Sequence, residues 1–106
     1  MEDIKLNAKQ AKSLGLIVNE LINNTVKYAF PDGNPGKVEI RIGRLDKEIE
    51  VEYRDSGVGL PDGVDFDNPT SLGLIVIQNL TKQIDGNIGY TYDNGTCINI
   101  VFAENE

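Results

Sequence analysis

Leu14-Gly15-Leu16-Ile17-Val18-Asn19-Glu20-Leu21-Ile22-Asn23-Asn24, continuing through Thr25-Val26 to Lys27-Tyr28-Ala29-Phe30-Pro31, is the most informative stretch of this chain. Leu14, Val18, Leu21, Thr25 and Ala29 recur at the 3.6-residue period, which predicts a helix from about Asn7 to Phe30. Asn7 followed by Gln10 reads as a variant capping box, and Pro31-Asp32-Gly33 stops the helix. On the other side, Ser13, Glu20, Asn24 and Lys27 form a compact polar group. Glu20, Asn24 and Lys27 stand at i, i+4 and i+7, so their side chains can converge on one ligand. A carboxylate and an amide oxygen are hard donors suited to Mg²⁺, and an ammonium meets a phosphate. A polar helix face is usually only a solvated one. Against that plain reading, Asn19, Asn23, Asn24 and Thr25 are indifferent helix formers, each about 0.5–0.7 kcal/mol worse than Ala. A helix surface selected for stability alone would carry Lys, Glu or Ala there, and local rules broken without structural gain often mark a functional site.

Outward from this helix, Gly33 to Gly36 read as a loop. Two strands follow. Val38, Ile40 and Ile42 alternate with Glu39 and Arg41, and Ile49, Val51 and Tyr53 alternate with Glu50 and Glu52. Leu45-Asp46-Lys47 is the predicted turn between them. Asp55 to Pro69 is a long irregular stretch rich in Gly, Pro and Asp, the kind of loop that often serves as a lid. A second helix is predicted from about Leu72 to Ile84, ending at Asp85-Gly86. The last hairpin pairs Asn87–Tyr92 with Thr96–Phe102 across Asp93-Asn94-Gly95, whose Asn-Gly suits a type I′ turn. Helix, two strands, helix, two strands give an α+β class. The economical architecture is an antiparallel or mixed sheet with both helices on one face, the other face being partly wet.

Three further places can carry chemistry, each a weak signal alone. Asp55-Ser56-Gly57-Val58-Gly59 follows the second strand. The aspartate can accept from an amino group, and the glycines let backbone approach a flat ligand. A Gly-rich turn capped by Asp is an equally good account of those five residues. Ser71-Leu72-Gly73-Leu74 opens the second helix, where free N–H groups favour an anion; Ser71 is also an ordinary N-cap. Gly95-Thr96 opens the last strand, where Thr96 alone reads as a β-branched strand residue.

The 106 residues, 40% hydrophobic and 25% charged, fit one ordinary globular domain, residues 1–106. No apolar run approaches the roughly 20 residues needed to span a bilayer, and Met1-Glu2-Asp3 lacks the basic start of a secretory signal. A net charge of −7 argues against a nucleic-acid surface. It leaves a nucleotide open, because a metal ion and backbone N–H groups can hold a few phosphates. The single Cys97 cannot form an internal disulfide and reads as a small buried strand residue, so a cytoplasmic location is expected. There is no histidine, so the chain supplies no imidazole as base, ligand or phosphate acceptor.

In order and spacing these signals resemble one family. Leu14 to Asn24, running on to Lys27-Tyr28-Ala29-Phe30-Pro31, is similar to the N box of sensor histidine kinases in the GHKL superfamily, in the subgroup whose N box ends in Ala-Phe-Pro. Asp55–Gly59 resembles the first glycine box, Ser71–Leu74 a reduced second one, and Gly95-Thr96 the Gly-Thr pair near the domain's end. The resemblance spans nearly the whole chain. It implies a Bergerat two-layer α/β sandwich holding ATP and Mg²⁺ between the helices beneath a mobile lid. Asn24 would then be the metal ligand, and Glu20 would orient or deprotonate the acceptor or join the metal shell. Lys27 would face the phosphates, with Tyr28 near the base or ribose. Asp55 would bind the adenine amino group with Thr96 acting through water, Gly57 and Gly59 would shape the pocket, and Leu72, Gly73 and Leu74 would meet the phosphates.

The implied function is transfer of the γ-phosphate to a histidine on a separate dimerisation domain of the same protein, with a response regulator downstream. No contact with nucleic acid or membrane is implied for this domain. Relatives normally carry strand sequence ahead of Glu2-Asp3-Ile4, so the chain reads as truncated, without a phosphoacceptor domain and unable to autophosphorylate alone. The second glycine box holds one glycine, and the segment between Gly59 and Ser71 is short, with Phe66 as a candidate lid aromatic. Two rivals stand beside this reading: an anti-sigma-type serine kinase, and a non-catalytic nucleotide-sensing module. DNA-acting relatives of the fold are disfavoured by the acidic charge and the missing transducer domain.

Overall fold

A computed structural model describes residues 4–26, 36–57 and 71–104. Helix α1 covers Ala8–Asn24 and α2 covers Leu72–Gln83; the strands are β1, Val38–Leu45, β2, Glu48–Asp55, β3, Asn87–Tyr92, and β4, Thr96–Ala103. The order and nature of the elements match the sequence reading. The sheet is four-stranded and antiparallel throughout, in the order β1-β2-β4-β3. Its two central strands are therefore far apart in sequence, β2 pairing with β4 as Val51 opposite Ile100 and Tyr53 opposite Ile98.

Register decides which side of the sheet is dry. Ile49, Val51 and Tyr53 of β2 share a face with Phe102, Ile100 and Ile98 of β4, and all six are buried. Against them pack Leu14, Ile17 and Leu21 of α1 and Leu74, Ile77 and Ile84 of and beyond α2. Burying each such side chain contributes about 1.5–3 kcal/mol. Both helices thus lie on one face.

Helix α1 begins as its sequence predicts. The Asn7 side chain accepts from the Gln10 N–H at 2.8 Å, and the Gln10 side chain accepts from the Asn7 N–H at 3.2 Å. Gln10 also donates to the Ala103 carbonyl at 2.9 Å, pinning the helix start to the end of β4. At the other end the helix widens into a π turn over residues 25 and 26; beyond that the predicted extension to Phe30 lies outside the described residues.

Two expectations about α1 are corrected. Val18 is only half-buried, and Ile17 takes the central core place, because the buried stripe is Gln10, Ser13, Leu14, Ile17, Leu21 and Thr25. Ser13, expected on the polar side, is 4% exposed and belongs to that stripe. Glu20 and Asn24 are half-buried. The polar group borders the core where α1 meets α2.

The turns use left-handed residues. Asp46 (φ 57°) reverses the chain between β1 and β2, and Asp85 (φ 54°) ends α2. Between β3 and β4 the loop has three residues. Asn94 is left-handed at φ 55°, while Gly95 at φ 151° departs from the type I′ geometry the Asn-Gly pair suggested. Edge strand β1 also departs from simple alternation. Val38, Ile40 and Ile42 face the helix side, opposite Asp55, Tyr53 and Val51, yet stay exposed among the described residues because the helices sit over β2, β4 and β3. Arg44 on that same side is matched by Glu104, which it meets through two hydrogen bonds of 2.8 and 2.6 Å.

Candidate functional site

Asp55 ends β2, the strand that carries the core, and its carboxylate is 7% exposed. Its Oδ1 accepts from the Gly57 N–H at 3.0 Å and from the Thr96 N–H at 3.2 Å. Its Oδ2 accepts from the Thr25 hydroxyl at 2.9 Å. A buried carboxylate survives only with such donors. They come from three places in the sequence: the turn after β2, the first residue of β4, and the end of α1. Ser56 secures the turn, its N–H donating to the Lys37 carbonyl at 3.0 Å and its hydroxyl accepting from the Lys37 N–H at 2.9 Å.

Asp55 and Gly57, from one sequence motif, and Thr96, from another, form one cluster. Gly95 belongs to it for a steric reason. A Cβ at Gly95 would overlap the Asp55 carbonyl oxygen, so the hairpin and the end of β2 approach as closely as they do only through glycine.

The second cluster joins α1 to the start of α2. A Cβ built on Gly73 would lie 3.3 Å from both Asn24 Oδ1 and Glu20 Oε2. Two oxygen donors from successive turns of α1 therefore converge on the bare backbone of Gly73. Among the described residues, two buried side-chain polar atoms have no hydrogen-bond partner: Asn24 Nδ2 and Ser71 Oγ. Leaving such a group unpaired costs about 1–3 kcal/mol. Asn24 Nδ2 borders Gly73. Ser71 sits at the N-cap position, with its carbonyl accepting from the Ile75 N–H at 3.1 Å, but its side chain makes no capping bond, contrary to its reading as an ordinary cap. The N–H groups of Leu72, Gly73 and Leu74 lie in the first turn, which leaves them without intrahelical partners. The Leu72 side chain is exposed, whereas that of Leu74 is buried in the core and offers a ligand only its backbone.

Lys27, Tyr28, Gly59 and Phe66 lie outside the described residues. Two contacts escaped the sequence reading. Thr25 was placed on the apolar stripe and among the indifferent helix formers without a partner, and Tyr53 only among alternating strand residues; Gly95 was read with Thr96 as a candidate pair, but not for its close approach to Asp55. Thr25 Oγ1 stands 2.6 Å from Tyr53 OH, which also reaches the Leu21 carbonyl at 3.3 Å. Burial, chiefly, and then the Asp55 charge raise the Tyr53 pKa above the ordinary phenol value, against the opposing Thr25 hydrogen bond. The phenol stays protonated and serves as a donor. A hydroxyl on a helix stripe beside Asn24 was the only hint of this contact in the sequence.

Cluster one sits at the end of the central strands and cluster two at the joint of the helices, linked through the adjacent Asn24 and Thr25. With both helices on one face of the sheet, that arrangement defines the Bergerat class of ATP-binding domains. A family model described as a histidine kinase-like ATPase domain matches residues 1–102, and the chain belongs to that family. Sensor histidine kinase PdtaS of Mycobacterium tuberculosis is 34% identical over 86 residues, covering 79% of this chain and 17% of that protein. The serine-protein kinase RsbW of Bacillus velezensis is 31% identical over 80 residues, covering 74% of this chain and 48% of that one. Among solved structures, the Erythrobacter litoralis blue-light-activated histidine kinase superposes with a TM-score of 0.87 at 26% identity, covering 97% of this chain and 33% of its own. The chain thus spans about a sixth to a half of the curated relatives' lengths.

Proposed function

We propose that this chain binds ATP with Mg²⁺ and donates the γ-phosphate to a histidine carried by a separate dimerisation domain of a sensor histidine kinase. The observation that carries this is the convergence of Glu20 Oε2 and Asn24 Oδ1 on Gly73, beside the unpaired Asn24 Nδ2. A pair of hard oxygens suits Mg²⁺, which keeps several waters and takes its other ligands from phosphates. When bound, the ion neutralises charge on the β- and γ-phosphates. Glu20 and Asn24 hold it, and Glu20 also orients or deprotonates the acceptor. The free N–H groups of Leu72, Gly73 and Leu74 cradle phosphate oxygens at the positive end of α2.

Asp55 accepts from the adenine amino group, with Thr96 assisting through water and Gly57 and Gly59 leaving room for the base. Lys27 faces the phosphates and Tyr28 the ribose or base. In the transfer, an imidazole nitrogen bonds to the γ-phosphorus as the bond to the β–γ bridging oxygen breaks and ADP departs. Catalysis here is mainly positioning and charge neutralisation. The acceptor must come from outside these 106 residues, which contain no histidine. The chain alone therefore does not autophosphorylate, and a response regulator receives the phosphate only through the full-length protein. Among the described residues no helix is long and apolar enough to cross a membrane; the proposed place of action of this domain is the cytoplasm.

Calorimetric titration with ATP and a non-hydrolysable analogue, with and without Mg²⁺, tests the reading beside Asn24→Ala and Asp55→Asn. Absence of Mg²⁺-dependent binding, or an Asp55→Asn variant that binds adenine nucleotide as the parent does, would refute it. The similarity to RsbW supports a second reading, a kinase that phosphorylates serine on a protein partner. Acid lability of the phosphorylated product separates the two, since phosphohistidine is lost in acid and phosphoserine is not.

A further inference from the structure

Thr25 and Tyr53 are not explained by packing alone. Both are almost fully buried, at 4% and 1% exposure, and their oxygens are 2.6 Å apart. Proton counting fixes the direction of the chain they form. Across the 2.9 Å contact the Thr25 hydroxyl donates to Asp55 Oδ2. Thr25 has one proton. At 2.6 Å its oxygen would oppose another bare acceptor unless the Tyr53 hydroxyl donates to it. Thr25 therefore donates to Asp55 Oδ2 and accepts from Tyr53 across the shorter 2.6 Å contact, with the single Tyr53 proton shared with the Leu21 carbonyl at 3.3 Å.

We infer that Thr25 is a positioning residue that makes the pocket selective for a 6-amino purine, holding Asp55 Oδ2 in place through a hydroxyl relay anchored on Tyr53. The inference rests on the proposed contact of Asp55 with the base. The Gly57 and Thr96 N–H groups fix Oδ1, but two bonds to one oxygen leave the carboxylate free to pivot about it. Thr25 fixes the second oxygen and so the carboxylate plane, while a lone pair of Oδ2 remains for an amino proton. A purine with a 6-oxo group would present an acceptor to that acceptor and be rejected. Thr25 also directly follows Asn24, so the same turn of α1 sets the base end and the metal end of the pocket. The π turn at residues 25 and 26 is consistent with that double duty, since such turns are frequent at functional sites.

The test is calorimetric binding of ADP and of IDP, which differ in the 6-substituent, to the 106-residue chain and to Thr25→Val, Thr25→Ser, Tyr53→Phe and Asp55→Asn. The ADP-over-IDP preference is expected to fall about tenfold in Thr25→Val, the scale of one hydrogen bond to a charged group. It should return to within about twofold of the parent in Thr25→Ser, which keeps the hydroxyl, and fall about threefold in Tyr53→Phe, which loses only the relay's source. A purely structural role for Thr25 would lower thermal stability while leaving the ratio alone. An unchanged ratio in both Thr25→Val and Tyr53→Phe overturns the inference, and if Thr25→Val does not fold, an unchanged ratio in Tyr53→Phe does so by itself. Asp55→Asn separates the two levels. If it keeps the parental ADP preference, the base contact itself is wrong; if it loses the preference while the Thr25 and Tyr53 variants keep it, only the relay is wrong.

Discussion

Replacing Gly73 by alanine should make this domain more stable and a worse nucleotide binder, and the two signs come from different atoms. Gly73 is helical, in the first turn of α2. Alanine is about 0.8–1.0 kcal/mol better than glycine in a helix interior, and somewhat less in a first turn. The new methyl would stand 3.3 Å from Asn24 Oδ1 and Glu20 Oε2 and 3.7 Å from Asn24 Nδ2. Those atoms end side chains that can yield by a few tenths of an ångström, at a cost of a few tenths of a kcal/mol. The net gain is about 0.5 kcal/mol, or roughly 2–4 °C in the thermal midpoint of a domain this size. The same methyl fills the point on which the two oxygens converge, so ATP·Mg²⁺ affinity should fall at least tenfold. At a nucleotide concentration about 100 times the parental Kd, ligand stabilisation is about 2.7 kcal/mol for the parent and about 1.4 kcal/mol for a tenfold weaker variant. Thermal unfolding by circular dichroism, with and without ATP·Mg²⁺, reads both quantities. A variant less stable than the parent but with an undiminished nucleotide shift would refute the placement of the site at Gly73.

Three other outcomes follow from the same contacts. Gly95→Ala should destabilise the fold by about 2 kcal/mol or more, since the methyl would overlap the Asp55 carbonyl and φ is 151°; a near-parental midpoint in chemical denaturation would contradict this. Asn7→Ala breaks the capping box and should cost about 1 kcal/mol, while nucleotide affinity stays parental because the cap lies at the opposite end of α1 from Asn24. Glu104 links stability to pH. The Arg44 hydrogen bond, first among the causes, holds its carboxyl below the ordinary glutamate value. A depressed folded pKa means stability that is present above the unfolded value and lost as pH falls through the folded one. Midpoints measured down an acid series should therefore fall less steeply in Glu104→Gln than in the parent, and parallel curves would show that the pair contributes nothing.

Much of the fold was legible because its signals are local. Alternation marked β1 and β2, the Asn7–Gln10 box started α1, and Asp85-Gly86 closed α2. Misreadings arose where neighbours in space override the period. Ser13 looked solvent-facing because it is polar, but α1 lies at the joint with α2, and the buried arc extends past the apolar residues. Ser71 looked like a cap because serine usually is one, yet its hydroxyl makes no capping bond and is left without a partner. Alternation marked Val38, Ile40 and Ile42 as one strand face but did not say that this face would stay exposed at the sheet edge.

The polar side of α1 was the feature that suggested function, and its residue types and spacing alone brought Glu20 and Asn24 into view. Family membership was likewise written in the order of four short motifs, because a ligand contacted by backbone and small residues leaves a local mark in sequence. What tertiary structure decided is the joining of those motifs. Asp55 is held by Gly57, Thr96 and Thr25, up to 41 residues away in sequence, and the pairing of β2 with β4 brings two of the three together. Gly73 meets Glu20 and Asn24 only because α2 packs beside α1. No period or propensity encodes such contacts. They form because burying one face of the sheet beneath both helices leaves the strand ends and helix ends a single place to meet.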